Sequence, residues 1–489
     1  MKKTHRFFSV FHPRALGLLI LLLLVCDRVA AASAPPNIIV IVTDDLGYAD
    51  LGVQGAVEDI RTPNLDAMAK EGIRCTSGYV TAPQCSPSRA GLLTGRYQQR
   101  LGIDQIPDMP LPLKAVTIAE RLRPAGYTSA MIGKWHLEPN EVTRKWMQEN
   151  GIEKLAPKDT LPFFPGAQGF DFYYKGELKR YYANYSLDGT PREPGWVNQP
   201  RFRVDVQTDA ALAFIDQHHK GPFFVYLNYF APHTPLEVPP AYLKPEWKNL
   251  PLRRQAALSM IAAVDHGVGR LGERLSALGL DKNTLIFFTS DNGAPLHGFR
   301  DSPINTDAGG WDGSLNTPLN GEKGMLAEGG IRVPFLMQWK GKLPAGMTYQ
   351  APVSTLDIAA TANAAAGLPA DPQLDGINLL PLLEAGAKPA ERTLFWRFMS
   401  QTAAREGDWK YLRVGYGHEF LFNLQDDPSE KNNLAASQPA ELDRLRAQAL
   451  AWTQELTPPG FPTRPPNPQE AIWFPQYFGV KIDGPPSKK

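Results

Sequence analysis

Apolar runs of strand length recur along the chain, and stretches with helical periodicity separate them. Residues 37–43 (NIIVIVT), 223–229 (FFVYLNY) and 284–289 (TLIFFT) are almost continuously apolar, the pattern of strands buried on both faces. Residues 128–132 and 333–339 add two shorter runs of the same kind. Thr62 and Pro63 open a helix that runs to Lys70, since Thr suits the cap and Pro the first turn. Residues 117–123, 208–219 and 260–278 read as further helices. Strands separated by helices predict an α/β fold: a large, mostly parallel sheet sandwiched by helices. Past residue 390 the texture changes. Residues 393–398, 409–414 and 419–424 read as short antiparallel strands, and residues 439–455 as a helix. The expected organisation is a main α/β domain over residues 33–390 and a small antiparallel-sheet subdomain over 391–489, ending in Pro-rich irregular chain.

In parallel sheets, ligands gather beyond the carboxyl ends of the strands. Asp44 and Asp45 follow one strand, Lys134 and His136 another, His233 a third, and Asp291 and Asn292 a fourth. Four unrelated segments are therefore expected to deliver polar groups to one sheet edge.

Composition narrows the class. With 489 residues, 43% of them hydrophobic, and 51 Lys and Arg against 50 Asp and Glu, the chain is neither disordered nor collagen-like. Three cysteines are too few for a disulfide framework. Residues 1–32 read as an export signal: Lys2, Lys3 and Arg6 precede an apolar stretch over residues 15–25 and the small residues Ala30, Ala31 and Ala32. The expected destination is periplasmic or extracellular, and no later stretch is long and apolar enough to span a bilayer. Residues 33–489 carry 46 Lys and Arg against 49 Asp and Glu, which excludes a general nucleic-acid or anionic-membrane binder. An anionic ligand would need cations gathered locally.

The most informative segment is Cys85-Ser86-Pro87-Ser88-Arg89, continuing to Leu93-Thr94-Gly95-Arg96. One reading is a buried cysteine at a helix start, and another is a disulfide between Cys75 and Cys85. A third is a nucleophile position. A helix starting at Ser86 and Pro87 aims its unpaired N–H groups at residue 85, and Arg89 adds a cation one turn in.

The pattern C-x-P-S-R-x-x-x-L-T-G-R resembles the signature of the type I sulfatases, within the alkaline-phosphatase-like superfamily. The resemblance extends from residue 37 to about residue 435, through GKWHL, FAPHTPLE, TSDNG and GEKGMLAEGGIRVP. It implies that Cys85 is converted by a formylglycine-generating enzyme to formylglycine, whose hydrate attacks the sulfur of a sulfate ester. It also implies that Asp44, Asp45, Asp291 and Asn292 hold calcium beside residue 85; oxygen ligands suit such a hard ion, and magnesium fits the same set. Lys134, His233 and Lys323 would contact the sulfate, and Arg89 and His136 the hydrated aldehyde. His233 or Lys323 would protonate the leaving alcohol, and His136 would take a proton when sulfate is expelled. A sulfated carbohydrate is the substrate class that the resemblance and the export signal suggest together.

Residues 138–185 align with no motif of that family. His297, which follows the TSDNG segment, is a candidate substrate contact or a loop histidine. His218 and His219 read as a solvated helix C-cap, and His266 as structural on a packed helix. Aromatic residues over 163–185 and 473–477 would serve as sugar platforms or as core. Two other functions fit the same residues. One is a phosphonate or phosphate monoester hydrolase of the same superfamily, and the other a non-catalytic sulfated-glycan-binding protein.

Overall fold

The computed structural model describes residue 1 and residues 35–106, 109–141, 143–297, 311–384, 387–462 and 465–480. Residues 2–34, and with them the body of the expected export signal, lie outside the described residues. Met1–Pro35 and Pro36–Lys489 are separate units, and every element below belongs to the second.

Among the described residues, eleven strands form one mixed sheet. In chain order they are β1 (Asn37–Asp44), β2 (Ile73–Tyr79), β3 (Thr128–Gly133), β4 (Phe172–Gly176), β5 (Arg180–Tyr185), β6 (Pro191–Asn198), β7 (Phe223–Pro232), β8 (Thr284–Ser290), β9 (Arg332–Gln338), β10 (Met347–Tyr349) and β11 (Val353–Ser354). The spatial order is β10-β2-β9-β8-β1-β7-β3-β4-β5-β6, with β11 also paired to β2. Its centre, β8-β1-β7-β3, is parallel. β4 joins β3 in parallel, and β5 and β6 follow it antiparallel to extend one side; β4 and β5 fall within residues 138–185, which align with no motif of the family. The strand expected over 333–339 also runs antiparallel to β8.

The alternation of side chains on β1 explains why the sheet is covered twice. Ile39 and Ile41 pack with α1 (Pro63–Lys70), α4 (Arg203–His218) and α5 (Leu252–Ala277) on one face. Ile38, Val40 and Val42 pack with α2 (Cys85–Thr94), α3 (Ile118–Leu122) and α6 (Asp357–Ala365) on the other. The helix expected from residue 260 starts eight residues earlier, at Leu252. At the start of α3, Thr117 and Glu120 form a reciprocal capping box.

A second, four-stranded antiparallel sheet holds β12 (Thr393–Phe398), β13 (Gln401–Glu406), β14 (Trp409–Val414) and β15 (His418–Asn423). Its β13 was not among the expected strands. One face packs on Tyr79, Val80 and residues 325–327, and the other on α7 (Pro439–Gln454). A buried charge cluster ties this sheet to the first. Lys410 Nζ lies 2.9 Å from Glu328 and 2.7 Å from Glu430, while Tyr79 donates to Glu328 at 2.6 Å.

Three expectations are corrected. The Pro-rich tail is not wholly irregular, because α8 (Glu470–Phe478) forms around Pro475 and buries Trp473 and Phe474. These aromatics are core, so they are no sugar platform. His219 is the C-cap of α4 as expected, but His218 is not a solvated cap residue: its ring packs on Phe172 and Phe214. His266 is exposed on α5, against Tyr242, rather than packed. No helix among the described residues is long and apolar enough to cross a membrane.

Candidate active site

The four central strands end side by side, and the polar residues that follow them converge. Asp44 closes β1, Lys134 and His136 follow β3, His233 follows β7, and Asp291 and Asn292 follow β8. The chain can turn directly after β3 only because residue 133 is glycine. Gly133 sits at φ +88°, and a Cβ there would meet Asn228 O at 1.9 Å. Asp45 and His136 also adopt positive φ, at 64° and 56°, a strain that non-glycine residues accept where the surroundings impose it.

Cys85 is the first residue of α2, buried at 2% exposure, with Gln84 as an extended cap residue that makes no side-chain cap bond. Its Sγ donates to Asp44 Oδ1 at 3.4 Å. Both Cys75 and Cys85 are free thiols, so the disulfide reading falls. Burial and Asp291 push the Cys85 thiol well up. Arg89, one turn along α2, grips Asp291 Oδ2 through Nε and Nη2 at 3.0 and 2.7 Å, and donates from Nη1 to Asn228 Oδ1 at 2.8 Å.

Cations and acids interleave around this point. Lys134 Nζ lies 2.6 Å from Asp44 Oδ2, and Lys323 Nζ 2.7 Å from Asp45 Oδ2. Burial opposes the charge on both ammonium groups, but Asp44 and Asp45 respectively hold them protonated. His233 Nε2 is 3.7 Å from Asp45, and its Nδ1 meets Thr234 O at 2.6 Å. A carbonyl only accepts, so the proton of neutral His233 sits on Nδ1 and Nε2 faces the cluster. Burial, Lys134 and Arg89 together hold His136 low, hence neutral.

A family model described as Sulfatase matches residues 36–368. The chain belongs to the sulfatase family. A second model, described as N-sulphoglucosamine sulphohydrolase, C-terminal, matches residues 321–451 of this sulfatase. It is 32% identical to N-acetylgalactosamine-6-sulfatase of Mus musculus, over 76% of this chain and 70% of that one. It is also 32% identical to arylsulfatase A of Bos taurus, over 85% and 86%. Among solved structures it resembles that of Ps i-CgsB in complex with k-i-k-neocarrahexaose. There the identity is 31% and the TM-score 0.72, over 90% of this chain and 97% of the other. The sulfatase is thus a sulfuric ester hydrolase with the α/β fold expected from its sequence.

The donor set at the site could hold a divalent cation. Ligand atoms of Asp44, Asp45, Cys85 and His233 all lie within 4.8 Å of one another. Asn292 Oδ1 is buried with no hydrogen-bond partner, while its Nδ2 donates to Asp45 Oδ1 at 2.6 Å. Burial and Asp44 push Asp291 up to about 6, against the opposing pull of Arg89 and Lys134. His233 belongs to this compact group although the sequence pattern did not suggest it as a ligand.

Two supporting residues of the sulfatase escaped the sequence reading. Asn228 was legible as the polar interruption of an apolar strand. Glu322 was not, since its role depends on loops meeting in space. Its carboxylate accepts from the backbone N–H groups of Leu296 and His297 at 2.7 and 2.8 Å and pairs with the His297 ring. His297 Nε2 meets Gln476 Oε1 at 2.5 Å, so both ring nitrogens face protein partners.

Proposed function

We propose that this sulfatase cleaves a sulfate ester of a carbohydrate through formylglycine derived from Cys85, with calcium held by Asp44, Asp45, Asp291 and Asn292. The observation that carries this reading is residue 85 at a helix N-terminus, 3.4 Å from Asp44, ringed by Lys134, Lys323 and Arg89. The hydrated aldehyde would supply an oxygen nucleophile there, and a cation held by these acids would supply Lewis-acid stabilisation of a sulfate oxygen. Lys134 and Lys323 clamp the other sulfate oxygens by charge-assisted hydrogen bonds. Arg89, tethered to Asp291 and Asn228, orients residue 85.

His233 donates the proton to the leaving oxygen. Burial, with Lys134 and Lys323 nearby, holds it down to about 4; a bound sulfate offsets those cations and lifts it toward the protonated state. His136, neutral and with Nδ1 buried without a partner, takes the proton when sulfate leaves. The carbohydrate class is supported by the relatives, one named N-acetylgalactosamine-6-sulfatase and one solved with a neocarrahexaose. The reading includes export through residues 1–32, maturation by a formylglycine-generating enzyme, and a division into domains near residue 390.

The test is sulfate release from sulfated polysaccharides, their oligosaccharides and 4-nitrophenyl sulfate. The enzyme is co-expressed with a formylglycine-generating enzyme, and Cys85→Ala serves as control. Release that requires residue 85 as the aldehyde, confirmed by mass spectrometry, is the expected result. Silence on every ester with the aldehyde present would sink the proposal. Faster turnover of 4-nitrophenyl phosphate than of the sulfate would favour a phosphoester hydrolase instead.

A further inference from the structure

A cavity of about 800 Å³ opens between Trp135, Glu177, Arg180, Trp196, Arg203 and Glu237, within the size range of small-ligand sites. It adjoins the sulfate end of the molecule. Trp135 lies between Lys134 and His136, and Arg203 Nη2 donates to the carbonyls of His233 and Pro235 at 2.9 and 2.6 Å. The Phe230 ring stands between the two regions, 4.6 Å from the Arg203 guanidinium, 5.0 Å from Lys134 Nζ and 4.8 Å from the His233 ring. Lys134 feels the charge of Glu177 on the cavity side. A sulfate held by Lys134 and His233 would therefore leave the rest of its carrier beside this opening.

The lining is specific in what it leaves unsatisfied. Lys175 pairs with Glu138 at 2.6 Å, Arg201 with Asp209 at 2.6 Å, and Arg203 faces Glu237 at 3.2 Å. Lys179 and Arg180 are exposed and, among the described residues, have no carboxylate partner. Glu177 is half-buried and likewise has no hydrogen-bond or ion-pair partner among them. Trp196 is 46% exposed, and the Arg180 guanidinium lies 4.4 Å from its ring centroid. Stacking on an indole holds a guanidinium flat and keeps its in-plane N–H fork for a planar or tetrahedral oxyanion. An exposed indole and an unpartnered carboxylate suit the apolar face and hydroxyls of a sugar.

We infer that this cavity is a subsite for the sugar next to the one that loses sulfate, and that Arg180 and Lys179 bind a second anionic group on it. The inference rests on the carbohydrate sulfatase reading and narrows it to oligosaccharides with at least two anionic groups. Trp196 orients the Arg180 fork, and Glu177 accepts from a hydroxyl near Lys134.

The test compares 4-nitrophenyl sulfate with carrageenan oligosaccharides, which offer a second sulfate, and chondroitin sulfate oligosaccharides, which offer a carboxylate. In Arg180→Gln and Lys179→Gln, KM for the cleaved oligosaccharide should rise roughly tenfold relative to the aryl ester, the scale of one charge-assisted hydrogen bond. Arg180→Lys should recover only part of this, since an ammonium has no fork. Trp196→Ala should behave like Arg180→Gln, and Trp196→Phe should recover part of the loss. Parallel losses on both substrate types, or no change on either, would overturn the subsite. So would a wild type that cleaves the aryl ester but no oligosaccharide, and that result would leave the sulfatase reading standing. Silence on every ester would remove both.

Discussion

Asn228 sits in the middle of β7, where every neighbouring side chain is buried, and accepts from Arg89 Nη1 at 2.8 Å. A buried donor that loses its acceptor keeps the full cost of its desolvation. Asn228→Ala is expected to lose about 1–3 kcal/mol of stability on that ground, read as a lower Tm. It should also lower kcat more than it changes KM for 4-nitrophenyl sulfate, because Arg89 then loses its fixed orientation. The acids of the site obey a related logic. Asp44, Asp45 and Asp291 are held together against their own repulsion, so a chelator should abolish turnover and lower Tm. Added calcium should raise Tm in a concentration-dependent way, and an unchanged Tm across a calcium titration would speak against the site. These acids were legible because each follows an apolar strand, a place that sequence marks clearly. Glu322 was not, since its role depends on contacts between segments distant in the chain.

Elements were legible to the extent that one period dominated them. β1, β7 and β8 are apolar on both faces, so length and flanking turns sufficed. Strands β4, β5 and β6 instead mix aromatic, charged and small residues, because one edge of the sheet is partly open to solvent. The tail misled for a different reason. Its proline content argues for irregular chain, but Pro475 is accommodated within α8 while Trp473 and Phe474 fill a pre-existing apolar surface. Trp473 lies over Gly324, where an added Cβ would meet its ring at 2.5 Å, next to Lys323. Trp473→Ala is expected to cost about 3–5 kcal/mol, the usual range for emptying such a site. Because the vacated space lies beneath the Lys323 loop, kcat should fall as well, measured at a temperature where the variant remains folded. Full activity in a variant with a clearly lowered Tm would separate α8 from the chemistry.

At the scale of the whole molecule, the two sheets meet through a charge cluster as well as through apolar surface. Lys410, Glu328 and Glu430 are all fully buried there. Removing one member leaves the others uncompensated, so Lys410→Met should destabilise the fold by about 3–5 kcal/mol in a denaturant titration. Burial, opposed by Lys410 but reinforced by Glu328, pushes Glu430 from its ordinary 4.5 up to about 7. A raised carboxyl binds its proton more tightly in the folded state. Its contribution is thus fully present below pH 4.5 and lost as pH rises through about 7. Glu430→Gln should therefore flatten the fall of Tm that the wild type shows across this window. A wild-type slope that persists in the variant would assign it to other groups.

The burial of Cys85 has a consequence in time. Residue 85 is made early and α8 almost last, and a chain emerges from the ribosome N-terminus first. In the finished molecule Cys85 is only 2% exposed, so any enzyme that alters its thiol must act while the chain is still open. Folded protein offered to a maturing enzyme should therefore gain no further converted residue 85, whereas the same protein held unfolded should.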